Sequence, residues 1–140
     1  MEPESEKHTS AVVGANVRRL RTGAGMTIRD VVQNLRDIQV PMSPSGVTDI
    51  EKGRRGVTVD QLTALAIVFN VSPATLLTPH PDDPDEETML SACIPASARD
   101  IWLWMIGEEP SMIDPEAVDD YERETFRRRA RPEWVWKKKV

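Results

Sequence analysis

The densest local signal in this chain is a series of helix-starting devices set close together. Thr27 and Asp30 stand in capping-box register, and Ser43-Pro44 offers a capping hydroxyl followed by a proline at the first helical position. Thr58 and Gln61 form a second capping box, and Ser72-Pro73 repeats the serine and proline device. Each device satisfies amide groups that the start of a helix otherwise leaves unpaired, or removes one of them. Starts this close leave room only for short helices. Short helices draw their stability from packing an apolar face rather than from propensity alone.

The apolar residues supply such faces. From Ser10, the residues Val13, Val17 and Leu20 recur at helical spacing, and Gly23 and Gly25 follow where a helix end favours residues tolerant of positive φ. After Thr27, the residues Ile28, Val31, Val32 and Leu35 give the clearest amphipathic pattern in the chain. Val40-Pro41 marks a break, because the residue before a proline is pushed out of the helical region. Val47 and Ile50 then form the inward side of a third helix that stops at Gly53, and Val59, Leu62, Leu65, Ala66 and Phe69 form one side of a fourth. A fifth runs over Ala74 to Leu77, and little strand signal lies between these elements. The expectation is an all-α fold, with five short helices over residues 10–78.

The remainder divides by composition. Residues 1–9 are polar and unpatterned and read as a disordered tail, and residues 79–96 read as an acidic, proline-rich linker. Residues 97–140 read as a smaller helical C-terminal region with a basic, tryptophan-containing end. Ser97 and Asp100 suit the start of a helix that carries Ile101, Trp102, Met105 and Ile106 and ends at Gly107. Asp114-Pro115 suits the start of another, with Glu116 in its first turn and Arg127, Arg128 and Arg129 in its last. Its sparse apolar residues, Val118, Tyr121 and Phe126, place it on a surface.

Charge and rare residues narrow the function. The longest uninterrupted apolar runs, Ala64 to Phe69 and Ile101 to Ile106, are far below the roughly 20 residues that span a bilayer. The acidic N-terminus lacks a secretory pattern, so no membrane partner and a cytoplasmic location are expected. With Cys93 the only cysteine and the two histidines, His8 and His80, far apart, no metal or other cofactor is expected. Ser, His and Asp show no arrangement that proposes a catalytic triad, so an enzyme is not expected. Gly23-Ala-Gly25 lacks a preceding strand and a full G-x-G-x-x-G, which makes it a helix-ending device rather than a phosphate loop.

The net charge of −5 argues at first against nucleic acid, but that charge is segmented. Residues 10–55 hold eight basic and four acidic side chains, residues 82–122 hold one and thirteen, and residues 123–140 hold eight and two. Such asymmetry points to binding more than to catalysis.

Several motifs now stand in a familiar order. Val17-Arg-Arg-Leu-Arg21, Met26-Thr-Ile-Arg-Asp-Val-Val32, Val47-Thr-Asp-Ile-Glu-Lys-Gly53, Leu62-Thr-Ala-Leu-Ala66 and Val71-Ser-Pro-Ala-Thr-Leu-Leu77 resemble the signature of XRE/Cro-type, lambda-repressor-like helix-turn-helix regulators, over roughly residues 11–78. The resemblance implies a sequence-specific DNA-binding transcriptional regulator, a repressor of bacterial or temperate-phage origin, acting on double-stranded DNA as a homodimer. The third helix would enter the major groove. It would turn Pro44, Ser45, Thr48, Asp49 and Lys52 toward base edges, while Thr27, Arg29, Ser43, Arg54 and Arg55 would meet phosphates. Arg21 and Glu51 match a family pair that ties the third helix to the first.

Two features depart from that pattern. The link from about Arg36 to Met42 exceeds the usual turn of about three or four residues. Pro44, Ser45 and Gly46 also stand where the family often places Gln, Asn or Arg, the side chains that make paired contacts with bases.

Several alternatives stay open on sequence. Asp49 either accepts from a cytosine amino group or repels phosphate, and the Arg18, Arg19, Arg21 cluster is either a solvated helix face or a phosphate contact. Trp134, Trp136 and Lys137 to Lys139 either form a nucleic-acid arm or belong to a basic segment folded onto the acidic one, in the same subunit or in a partner. The C-terminal region would supply the dimer contact. The rival function is a protein-interaction module, an antitoxin or adaptor that keeps the same fold.

Overall fold

A computed structural model describes residues 8–91, 95–110 and 115–139. Its helical elements are α1 (His8–Gly23), α2 (Ile28–Asp37), α3 (Pro44–Glu51), α4 (Val59–Phe69) and α5 (Pro73–Leu77), then α6 (Ala98–Met105), α7 (Asp120–Ala130) and α8 (Glu133–Trp136). Two three-residue strands, β1 (Glu87–Met89) and β2 (Pro95–Ser97), precede α6, and a single 3-10 turn, Pro115–Ala117, precedes α7. The described structure is therefore mostly helical, with five helices in the first half and a smaller C-terminal region.

The capping devices act where the sequence places them. Thr27 accepts from Asp30 N–H at 3.1 Å while Asp30 accepts from Thr27 N–H at 2.8 Å, and Thr58 and Gln61 make the same exchange at the start of α4. Ser43, Ser72 and Ser97 each accept from the amide three residues on. Helix α1 ends at Gly23, and Gly25 has a φ of +68° in the turn that follows.

One apolar core unites α1 to α5. Val17, Val31, Leu35, Val47, Leu65 and Leu76 are wholly buried in it, with Ile50 and Val13 beside them. Fully burying an aliphatic side chain of this size contributes about 1.5–3 kcal/mol before chain entropy is charged against it. The link between α2 and α3 joins this core too. Gln39 adopts a left-handed φ of +66°, Val40 N–H reaches back to Leu35 O, and Met42 is buried.

Helix α1 packs on both α3 and α5, and two of its residues make this possible. A Cβ on Gly14 would run into the carbonyl oxygen of Ile50, so the close approach of α1 and α3 requires glycine there. Asn16, 2 % exposed, donates through Nδ2 to Thr75 O, Leu76 O and Thr78 O at 2.8–3.1 Å. These are carbonyls that the end of α5 would otherwise leave buried without partners.

The structure departs from the sequence reading in four places. Helix α1 begins at His8, and Thr9 exchanges hydrogen bonds with Ser91, its amide donating to Ser91 Oγ and its Oγ1 accepting from Ser91 N–H. His8 and Thr9 are thus helical, and residues 1–7 of the expected tail lie outside the described residues. Within the expected linker, β1 and β2 pair antiparallel, Thr88 opposite Ala96, although each strand is too short to show an alternating pattern. Leu90, Ala96 and Ile101 form a second small core there, against which Val12 of α1 packs. Val59 is 78 % exposed instead of inward, because it lies in the first turn of α4, ahead of the buried stripe. Finally, α7 starts at Asp120 with Asp119 as its cap, and Pro115 opens only the 3-10 turn. Asp114 and Cys93 lie outside the described residues.

No residue of α7 or α8 is buried. Helix α7 is held by charge. Arg123 Nε donates to Glu109 Oε2 at 3.0 Å, Arg127 Nε donates to Glu108 O at 3.0 Å, and Arg131 pairs with Glu108. Trp136 Nε1 donates to Arg128 O, and the Arg128 guanidinium lies 5.0 Å from the centre of the Trp136 ring. Of the two readings of the basic end, the structure realises the fold onto acidic residues for Arg123, Arg127 and Arg131.

Candidate nucleic-acid interface

The start of α3, which the family resemblance would turn toward DNA, is open to solvent. Ser43, Pro44 and Ser45 are exposed in its first turn, where backbone amides lack helical partners. Ser43 Oγ accepts from Gly46 N–H at 3.0 Å and lies 3.2 Å from Ser45 Oγ. The opposite side of the helix, through Val47 and Ile50, is sealed in the core, which fixes which face α3 turns outward. Thr48 and Asp49 are half-buried on the second turn and Lys52, the residue that ends the helix, is exposed.

Arg54 and Arg55 flank this surface. Arg54 Nη1 lies 3.8 Å from Asp49 Oδ1, the arginine exposed and the aspartate partly so, and Arg54 N–H donates to Asp49 O at 2.8 Å. The loop therefore places an arginine beside the one acidic side chain expected to face bases. An exposed pair of this length adds little stability, so the arginine is free to exchange that carboxylate for a phosphate. Arg55 leans over the first turn of α3, its Nη1 3.3 Å from where a Cβ on Gly46 would stand. Gly46 is buried beneath Arg55 and Met42, which leaves room only for a small residue in the first turn of α3.

Thr27 and Arg29 sit apart from that cluster, at the start of α2, and both are exposed. The Thr27 hydroxyl accepts from Asp30 N–H at 3.1 Å. The Asp30 carboxyl is held below the usual carboxylate range, chiefly by the hydrogen bond from Thr27 N–H and then by the Thr27 hydroxyl. It stays ionised near neutral pH and completes the cap.

The two arms are joined by Arg21 and Glu51. Arg21 Nε and Nη2 donate to Glu51 Oε2 and Oε1 at 2.7 and 2.9 Å, while Arg21 Nη1 donates to Met26 O at 3.0 Å. Both side chains are mostly buried, and the Glu51 hydrogen bond holds the guanidinium charge more firmly than usual. One side chain thus fastens the end of α1 to the end of α3 and to the turn that leads into α2. A planar, two-pronged pair sets orientation as well as distance.

Sequence reasoning did not single out Gly14 or Asn16 as the residues that set how α1 carries α3 and α5. The only signal for Asn16 was an amide inside an apolar stripe, and Gly14 carried none. Among the described residues no group of three or more His, Cys, Asp or Glu could hold a metal ion, and no helix is long and apolar enough to cross a membrane.

Residues 12–77 match the family model for a helix-turn-helix domain. This part of the chain is a helix-turn-helix domain, consistent with the XRE-like resemblance of its motifs, and such domains are typically DNA-binding rather than enzymatic modules. No curated protein and no solved structure was found to match the chain.

Proposed function

We propose that the chain is a sequence-specific transcriptional regulator of bacterial or temperate-phage origin that acts as a repressor by occupying DNA through the exposed start of α3. The observation that supports this most is the combination of a helix-turn-helix domain with an outward α3 first turn flanked by Arg54 and Arg55. In this reading Pro44, Ser45, Thr48, Asp49 and Lys52 face base edges. Thr27, Arg29, Ser43, Arg54 and Arg55 hold the phosphates on either side, and the Arg21–Glu51 pair keeps the two sets in register. Apart from Lys52, direct readout is carried by short side chains, so part of the discrimination comes from DNA shape. The protein acts in the cytoplasm as a homodimer through its C-terminal region, on a partly palindromic site with half-sites about one helical turn apart.

Selection of bound fragments from a random DNA pool, followed by titration at several salt concentrations, tests this reading. Arg29, Lys52, Arg54 and Arg55 together predict a log-log salt slope of about −4 for each domain. Arg54→Ala with Arg55→Ala weakens binding to all sequences alike, whereas Ser45→Ala or Thr48→Ala changes the preferred sequence. Absence of binding at low salt would overturn the regulator reading and favour the protein-interaction module.

A further inference from the structure

A cleft of about 620 Å³ lies between the helix-turn-helix domain and the C-terminal region, lined by Arg19 of α1, Thr75 and Thr78 at the end of α5, His80 after it, and Arg99 and Trp102 of α6. This volume falls within the range of about 300–1,000 Å³ common to small-molecule sites. Arg19 and His80 also line a second cavity of about 440 Å³, so they form a wall shared by the two.

The cations of this cleft are not equivalent. Arg99 Nε donates to Asp85 Oδ1 at 2.9 Å, so its charge already has a carboxylate partner. Arg19 has none among the described residues. It is partly buried, its Nη2 reaches only the neutral Asn16 Oδ1 at 3.3 Å, and its Nε is buried with no hydrogen-bond partner. A guanidinium partly withdrawn from water, with no counter-charge among the described residues, carries a cost that a bound anion lowers. Beside it Trp102, Ala98 and the prolines of the 79–84 stretch provide flat apolar surface. Asp82 also lines the cleft but is exposed, where water screens it.

We infer that this cleft binds a small, flat aromatic carboxylate, its carboxylate on Arg19 and its ring against Trp102. None of the lining residues belongs to the set facing DNA, so the site stands or falls independently of the proposed function. The carboxylate supplies the missing partner of Arg19, and its charge-assisted hydrogen bonds are stronger than those a neutral group can make. The ring covers a tryptophan that remains 38 % exposed.

The test is titration of the full-length, isotope-labelled chain with 2-naphthoate and with its neutral counterpart 2-naphthamide, followed by the side-chain N–H signals. The expected result is that 2-naphthoate shifts the Arg19 Nε–H and Trp102 indole signals, leaves the Trp134 indole in place, and binds at least about tenfold more tightly than the amide. Arg19→Gln removes that preference, whereas Trp102→Ala weakens both compounds together. The comparison of the two compounds on the unaltered protein stands even if Arg19→Gln disturbs the neighbouring Asn16 clamp. Equal binding of the two compounds, shifts centred on Trp134 and Trp136, or no shift at millimolar naphthoate overturns the inference.

Discussion

The two halves of this molecule are held together by different physics. In α1 to α5 a continuous set of wholly buried aliphatic side chains makes one core, and the polar groups inside it, Asn16 above all, are fully engaged. In the C-terminal region the buried hydrophobic side chains among the described residues shrink to Leu90, Ala96, Ala98 and Ile101, and α7 is attached through arginines on Glu108 and Glu109 that are a quarter or more exposed. The first half has a geometry that packing defends. The second has a geometry that screening can loosen, because exposed ion pairs contribute about 0–1 kcal/mol each. The proposed role of α3 needs the first kind of support, since small displacements would move its side chains off the bases.

The contrast can be broken by mutation, starting where the effect is largest. Leu65→Ala, at a wholly buried site on α4, lowers the unfolding free energy of the first half by about 3 kcal/mol or more, read from the shift in its denaturant transition. A loss below about 1 kcal/mol would mean the core is loose. Gly14→Ala forces α1 away from the Ile50 carbonyl and costs about 1–3 kcal/mol, with a larger proportional loss of DNA affinity because α3 shifts with it. Parallel measurement of stability and binding checks this. An unchanged melting curve would show that the two helices do not meet so closely. Glu108→Gln weakens the contacts of Arg127 and Arg131 and costs under about 1 kcal/mol, an effect that 1 M salt reproduces in the unaltered chain. Hydrogen exchange would register it as faster opening of α7 with α1 to α5 unaffected.

How much of this was legible in the sequence follows the range of the interactions. The capping boxes of Thr27 and Thr58, and the caps at Ser43, Ser72 and Ser97, connect residues three apart, so their pattern is visible in the sequence and the structure contains them all. Asn16 acts on carbonyls about sixty positions away and Gly14 on one thirty-six away, and no local pattern encodes either contact. The β1–β2 pairing was hidden because three-residue strands, one opened by Pro95, carry no alternation to read. Asp114-Pro115 reads as the start of a helix, but the backbone forms only a single 3-10 turn over Pro115–Ala117 and begins α7 at Asp120, with Asp119 as its cap. For the site, the identity of α3 and its outward face followed from Val47 and Ile50. The approach of Arg54 to Asp49 and of Arg55 to Gly46 did not, because both depend on the course of the loop after α3.

The most direct test of the central claim, that DNA is read by the start of α3 on a rigidly packed domain, is a residue-by-residue map of amide shifts when the full chain is titrated with its selected DNA site. The largest changes are expected on Ser45, Gly46 and Thr48 and on the first turn of α2, with α7 and α8 little changed. Shifts concentrated on α7 and α8, with α3 silent, would contradict it.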